Sequence, residues 1–187
     1  GYRGSELYLD EAYDYYPWRD VVGYHSGMFS TFGGYDDQFV GASELIIDHN
    51  GNTEIALGGP LNQSYGRQVR GRKNDYIFNF GANISDFLYF GANLGFTAMN
   101  YDYAEYFKEA ALVPSDFEIE LDNGNRMYFD RMKYNYNYYV ETSGVYGKFG
   151  VILTPGAGLR LGAAIQTPTS TTVREEWSHS GQTEFTD

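Results

Sequence analysis

The chain has 187 residues, including 19 Tyr, 13 Phe and 23 Gly, and its formal net charge is −12. This acidity argues against a nucleic-acid partner, because nucleic-acid binding relies on Lys and Arg to displace counterions from phosphates. The absence of Cys excludes disulfides, thiolate catalysis and Cys-ligated zinc. No run of about 18 apolar residues occurs, so a transmembrane helix is not predicted.

The first predicted hairpin lies in residues 44–57, with the sequence ELIIDHNGNTEIAL. The dipeptide Asn50–Gly51 at its centre favours a two-residue type I′ turn, in which both central residues have positive φ.

A second hairpin is predicted over residues 76–98, which contain the tetrapeptide FGAN twice. Both halves alternate, with apolar side chains at even positions and small or polar ones at odd positions. Directly opposed residues of an antiparallel pair point to the same side of the sheet. The connection should therefore hold an odd number of residues, most simply Ser85, Asp86 and Phe87.

The segment 101–133 is predicted to be one long loop. Within it, residues 103–112 place Tyr103, Phe107 and Ala110 at helical intervals and end before Pro114, which predicts a short amphipathic helix.

Alternation returns in residues 134–140 and again in a third hairpin, over 145–153 and 159–165, around the turn 154–158. The apolar positions are even in 134–140 and odd in 145–153. A β-bulge or break is therefore expected near 142–144.

These elements predict an all-β fold. Strands of about nine to eleven residues, with short turns at one end and a long loop at the other, are typical of an antiparallel up-and-down transmembrane β-barrel. In this interpretation the apolar faces contact lipid. The alternative is a soluble β-sandwich, whose strands also alternate.

Three blocks of the sequence carry a resemblance to a known family: residues 74–96, 141–155 and 159–169. In this order they resemble the FadL-type long-chain fatty-acid transporters of bacterial outer membranes, in particular the Bacteroidetes branch. The resemblance implies a monomeric barrel in the outer membrane that carries fatty acids or other hydrophobic compounds and needs no cofactor. In that family 101–133 would match an extracellular loop that captures the ligand.

The chain differs from the family pattern in two ways. The N-terminal plug motif of the Asn-Pro-Ala type is missing, and the last residue is Asp187 instead of an aromatic residue. Seven to nine strands are also too few for the full barrel of the family. We therefore expect residues 1–187 to be a single incomplete segment of a larger barrel.

Two groups of residues are candidates for ligand binding. Apolar side chains of the predicted loop could form a groove for an acyl chain, namely Phe107, Leu112, Val113 and Phe117. Alternatively, they pack the loop onto the barrel rim. Lys148 and Arg160 are predicted on the interior face, where they could meet a carboxylate head group or pair with acidic neighbours.

The tyrosines at 134, 136 and 138 are expected to form an outward aromatic girdle at the membrane interface, or else a stacking platform for sugars. The three histidines are far apart in sequence and predict no metal site. Ser26 and Ser178 each adjoin a histidine, but neighbours in sequence rarely achieve the geometry of a nucleophile and its base. The chain is therefore predicted not to be an enzyme. The second functional hypothesis is a secreted glycan-binding β-sandwich.

Overall fold

The structure of the chain is a computed structural model that describes residues 17–32, 35–121 and 123–187. One α-helix is followed by a series of strands, with a 3-10 turn at Pro114–Asp116. No helix among the described residues has the length and apolar character needed to cross a membrane. The elements are α1 (Trp18–His25), β1 (Phe29–Phe32), β2 (Tyr35–Gly41), β3 (Glu44–His49), β4 (Asn52–Leu57), β5 (Leu61–Ile84), β6 (Leu88–Ala111), β7 (Glu118–Glu120), β8 (Arg126–Gly156), β9 (Leu159–Gln166) and β10 (Ser170–Thr186).

The fold is all-β, as predicted, and mostly antiparallel. The largest sheet has the order β10-β8-β6-β5, and both β7 and β9 also pair with β8. Two small hairpins, β1-β2 and β3-β4, form separate sheets. β5 and β10 are the ends of the main sheet, so the described residues do not form a closed barrel.

Two of the three turns that the sequence predicts are confirmed, and the third is shorter than predicted. Asn50 and Gly51 have φ of 55° and 88° between the paired residues His49 and Asn52, as a type I′ turn requires. β5 ends at Ile84 and β6 begins at Leu88, which leaves a three-residue connection. In the third hairpin the predicted matching of parity is observed, with Phe149 opposite Ile165 and Val151 opposite Ala163. The predicted turn over 154–158 is wrong, because β8 continues to Gly156, which pairs with Leu159, and the register shifts between Leu153 and Gly156.

The helix predicted over 103–112 is wrong, because β6 continues as a strand to Ala111. The loop predicted over 101–133 is correspondingly shorter, since β8 begins at Arg126. The same residues also alternate, and in this stretch the side chain of Tyr106 lies over Gly66 of β5. Pairing with β5 and β8 satisfies the backbone of β6, and this outweighs a helical propensity that only one short segment supports.

The strands are also longer than predicted: β5 and β6 have 24 residues each and β8 has 31. The prediction of a break near 142–144 assumes that the tyrosines at 134, 136 and 138 face outward. In the structure Tyr134 is 5% exposed, and the exposed positions that follow are Glu141, Ser143 and Val145. The more buried positions therefore stay even-numbered from 134 to 146, and the parity change that motivated the break does not occur.

The chain divides into two compact units. The first unit comprises Gly1–Gln68, Ala104–Asn137 and Ser178–Asp187, and the second comprises Val69–Tyr103 and Tyr138–Trp177. The first unit has a hydrophobic core of Ala42, Phe117 and Phe129. The rings of Phe117 and Phe129 meet edge to face with centroids 5.9 Å apart, and Phe185 packs against Phe129.

Candidate functional site

The second unit presents large hydrophobic side chains to the outside on one side of its sheet. Phe78 and Phe80 are 57% and 69% exposed, and Ile165 is 71% exposed. Phe78 packs edge-on against Phe96 with ring centroids 6.1 Å apart, so the even positions of β5 and β6 share a side. We call this side the apolar face; it carries Tyr76, Phe78, Phe80, Phe90, Leu94, Phe96, Val145, Phe149, Leu161 and Ile165.

The opposite side of the second unit carries mainly small and polar residues, together with Ile77, Tyr89 and Ile152, and we call it the small-residue face. Its anchor is Tyr146, whose ring lies directly over Gly95, a buried position. Lys148 extends from the same side of β8 with its ammonium 5.4 Å from the centroid of the Tyr146 ring. The face includes Asn79, Gly81, Gly91, Asn93, Gly95, Tyr146, Lys148, Gly150, Gly162 and Ala164.

A cleft of about 530 Å³ crosses β6, β8 and β9 in the second unit. Glycine or alanine lines it on every strand, at Gly91, Gly150, Gly162 and Ala164, and its larger lining residues are Tyr89, Phe90, Val151 and Ile152. A shallow, mostly hydrocarbon surface of this kind can hold a thin apolar ligand by shape alone.

A second cavity, of about 1010 Å³, lies within the first unit. Strands β1, β2 and β3 line one part of it and β7 and β8 another. Its wall mixes aliphatic side chains such as Leu45 and Ile119 with the carboxylates of Glu118 and Glu120. The volume suits a ligand of ordinary metabolite size, and the mixed wall indicates no single chemical class.

The first unit also contains a cluster that joins α1 to the strands, which we call the Tyr–His cluster. The Tyr134 hydroxyl and His179 Nδ1 are 2.5 Å apart, and the ring of Tyr136 stacks on His179 at 4.6 Å. The Arg19 guanidinium lies 5.4 Å from the Tyr134 ring centroid and 3.8 Å from a carboxylate oxygen of Glu105.

Burial and charge set the protonation of this cluster. Burial, and then the Arg19 charge, lower the pKa of His179 below its usual value of 6.5. Burial raises the pKa of the Tyr134 phenol above 10.0, and Arg19 partly opposes that effect. These shifts favour a protonated phenol and a neutral imidazole, so the hydrogen bond between Tyr134 and His179 joins two uncharged aromatic side chains.

The predicted loop groove is not assembled as expected. Phe117 is 0% exposed and belongs to the core of the first unit, so its assignment to a surface groove is wrong. Leu112 and Val113 are 61% and 45% exposed, in the connection after β6. Phe107 is half-buried within β6 itself, and none of these residues lines the cavity of the first unit.

Lys148 and Arg160 lie on the same side of the sheet, the small-residue face, and their placement in a barrel interior stays a prediction. Lys148 pairs with Gln166, and both Arg160 and Gln166 are even positions of β9. They are six residues apart on that strand, which corresponds to about 20 Å. One head group therefore cannot contact both basic side chains.

Ser26 and Ser178 are engaged away from their neighbouring histidines. The Ser26 hydroxyl donates to the carbonyl oxygen of Gly23 at 3.2 Å, and Ser178 accepts from the Asn137 amide at 3.4 Å. Among the described residues, no group of histidine and carboxylate side chains is arranged to hold a metal ion.

No protein-family model matches this chain, and no curated protein matches it either. The FadL-type assignment therefore continues as a proposal, based on the three sequence blocks that suggest it.

The Tyr–His cluster is not predicted by the sequence pattern. Arg19, Tyr134 and His179 are far apart in the chain, so only tertiary packing brings them together. The available signal was the alternation of Tyr134, Tyr136 and Tyr138, which identifies a shared face without indicating whether that face is covered.

Proposed function

We propose that this chain is a wall segment of a bacterial outer-membrane β-barrel that transports hydrophobic compounds such as long-chain fatty acids. The observation that carries the proposal is the exposure of the apolar face of the second unit. Burial in lipid would stabilise each large apolar side chain by about 1.5–3 kcal/mol relative to water. A membrane is the environment in which this face is favourable.

The extent of the apolar face also suits a membrane. On β5 it runs from Tyr76 to Ile84, about 26 Å along the strand. The lipid-facing band of outer-membrane barrels is about 25 Å tall, and aromatic residues flank it. Tyr76, 62% exposed, lies at one end of this band.

A membrane also requires partners for the two outer strands of the main sheet. Lipid offers no hydrogen bonds, so the free edges of β5 and β10 must pair with further strands in the membrane. The proposal therefore includes a larger barrel in which this sheet is one part of the wall.

The small-residue face would line the transport route. The cleft over Gly91, Gly150 and Gly162 leaves room beside the sheet for an acyl chain. Lys148 lies on the same face and supplies a positive charge for a carboxylate, which accepts hydrogen bonds from an ammonium. Nothing in this function needs a cofactor or a catalytic residue.

The decisive experiment compares the full-length protein in detergent and in plain buffer, and measures uptake of labelled long-chain fatty acid by cells in which it is the only such transporter. We expect detergent dependence and uptake above that of control cells. A monodisperse protein in plain buffer that binds oligosaccharides would replace this proposal with the glycan-binding hypothesis.

A separate variant addresses Phe107 of β6, which the sequence assigns to ligand capture. Phe107→Asp should weaken fatty-acid binding because it places a charge beside an acyl chain. Tyr106→Asp, at the next position on the opposite face, is the matched control. Equal affinity of the parent and the Phe107 variant would remove Phe107 from the binding site.

A further inference from the structure

The acidic chain carries a concentrated basic run on β5, at Arg67, Arg70, Arg72 and Lys73. Two of these residues, Arg70 and Arg72, occupy even positions and are exposed. The same even positions continue through Asn74 and Tyr76 to Phe78 and Phe80. One side of a single strand thus changes from guanidinium to amide, to phenol and then to hydrocarbon.

The pairing of β5 with β6 indicates that these residues share one side of the sheet. The three-residue connection pairs Ile84 with Leu88, and an unbroken register then places Gly71 opposite Tyr101. A Cβ atom added at Gly71 would lie 3.8 Å from the Tyr101 ring, and one added at Gly81 would lie 3.8 Å from the Phe90 carbonyl oxygen, as this register requires. No bulge therefore turns Arg70 and Arg72 away from the face of Phe78 and Phe80.

The two arginines have no carboxylate partner within 4.0 Å in the described part of the chain, whereas Lys73, on the other side of β5, pairs with Asp75 at 3.6 Å. The nearest carboxylate on their own side is Asp102, which the register places opposite Arg70 without a salt bridge. The next carboxylate on this side of the sheet is that of Glu141 on β8, two strands away from β5. Among the described residues, both guanidinium groups are thus exposed and without an ion pair on a protein whose net charge is −12, and Arg67 of the same strand shares this property.

We propose that Arg70 and Arg72 bind the phosphate of an anionic membrane lipid whose acyl chains lie along Phe78 and Phe80. Arg72 is about 13 Å from Tyr76 along the strand, which places the guanidinium groups just beyond the apolar band. Guanidinium groups bind phosphate oxygens through paired hydrogen bonds, and Asn74 can donate to a sugar hydroxyl. This inference rests on the proposed membrane function.

The occupant we commit to is a phosphorylated glycolipid of the lipid A type. These basic residues lie toward the end of β5 that adjoins the connection after β6, the end that would face the cell exterior if the chain is oriented like the FadL-type transporters it resembles. A phosphate head group with several acyl chains matches both the basic and the apolar parts of the surface.

The test measures lipid binding to the full-length protein in phosphatidylcholine nanodiscs, with bis-phosphorylated lipid A as the probe and mass spectrometry as the readout. Each arginine should contribute about fivefold in affinity, so Arg70→Gln with Arg72→Gln should lose about twentyfold or more. Lys73→Gln removes the same charge from the other side of the same strand and should bind like the parent. Asp102→Asn should strengthen binding, since it removes the negative charge nearest the phosphate.

Three results would overturn the inference. The double arginine variant could retain the parent affinity, Lys73→Gln could lose as much as the double variant, or deacylated phosphorylated head group could compete as well as intact lipid A. The proposed function fails separately, if the parent does not enter phosphatidylcholine nanodiscs at all. If the parent protein enters the nanodiscs but shows no preference for the phosphorylated lipid, the lipid site is rejected and the transport proposal is unaffected.

Discussion

Tyr146 of β8 covers Gly95 of β6, and the two residues fit together only because Gly95 has no side chain. A Cβ atom at position 95 would lie inside the van der Waals radius of the tyrosine ring. The contact joins two strands of the main sheet on its small-residue face. The glycines of this face thus serve packing as well as leaving room for a ligand.

Replacing Gly95 with alanine should therefore destabilise the protein. The ring of Tyr146 must move, and overpacking of this kind costs about 1–3 kcal/mol. The measurement is the midpoint of thermal unfolding in detergent. Tyr146→Ala in the Gly95→Ala background should restore part of the loss, because it removes the clashing ring.

Gly91→Ala is the matched control, on the same strand and the same face. The nearest atom to a Cβ at Gly91 is the carbonyl oxygen of Phe80 at 3.6 Å, an ordinary contact. Equal losses at positions 91 and 95 would show that backbone effects, and not the tyrosine ring, determine the cost.

Among the residues that the sequence assigned to a ligand groove, Phe117→Ala should lower the stability of the protein much more than Leu112→Ala. Phe117 is fully buried against Phe129, and removal of a buried phenylalanine ring costs about 3–5 kcal/mol. Leu112→Ala, at an exposed position nearby, should change stability little. Denaturant midpoints of the two variants provide the comparison, and an unchanged midpoint for Phe117→Ala would place this ring outside the core.

The Tyr–His cluster predicts a pH dependence of stability. Burial lowers the pKa of His179 below 6.5, so the unfolded chain takes up a proton before the folded one does as the pH falls. The contribution of His179 is complete above pH 6.5 and is lost as the pH drops from 6.5 through the lower folded pKa. His179 lies in the first unit, outside the proposed membrane band.

The measurement compares unfolding midpoints of the parent and of His179→Gln across this pH range. We expect the stability difference between the two proteins to shrink as the pH falls. A parallel pair of profiles for the parent and His179→Gln would contradict the assigned shift. NMR titration of His179 gives the direction of its pKa independently.

The parts of the fold that the sequence predicted correctly depend on neighbouring residues. Asn50 and Gly51 specify their turn through positive φ, and the parity rule requires an odd connection at 85–87. Both features depend on a few adjacent residues, so they can be predicted without knowing which distant residues they contact.

The incorrect parts depend on partners that are distant in sequence. Residues 103–111 satisfy both a helical and an alternating pattern, and the pairing of β6 decides between them. Tyr134 looks like an outward girdle residue until α1 supplies Arg19 to cover its ring. The pattern of Phe107 and Phe117 likewise does not distinguish a groove from a core.

The most direct test of the account asks whether the apolar face contacts lipid. Because the chain has no native cysteine, single cysteines at Phe78, Phe80 and, on the opposite face, Asn79 can each carry a fluorophore without competing labels. In reconstituted membranes we expect brominated acyl chains to quench positions 78 and 80 strongly and position 79 weakly. Equal quenching at all three positions, or quenching of 78 and 80 by aqueous iodide alone, would contradict a lipid-facing role for this surface.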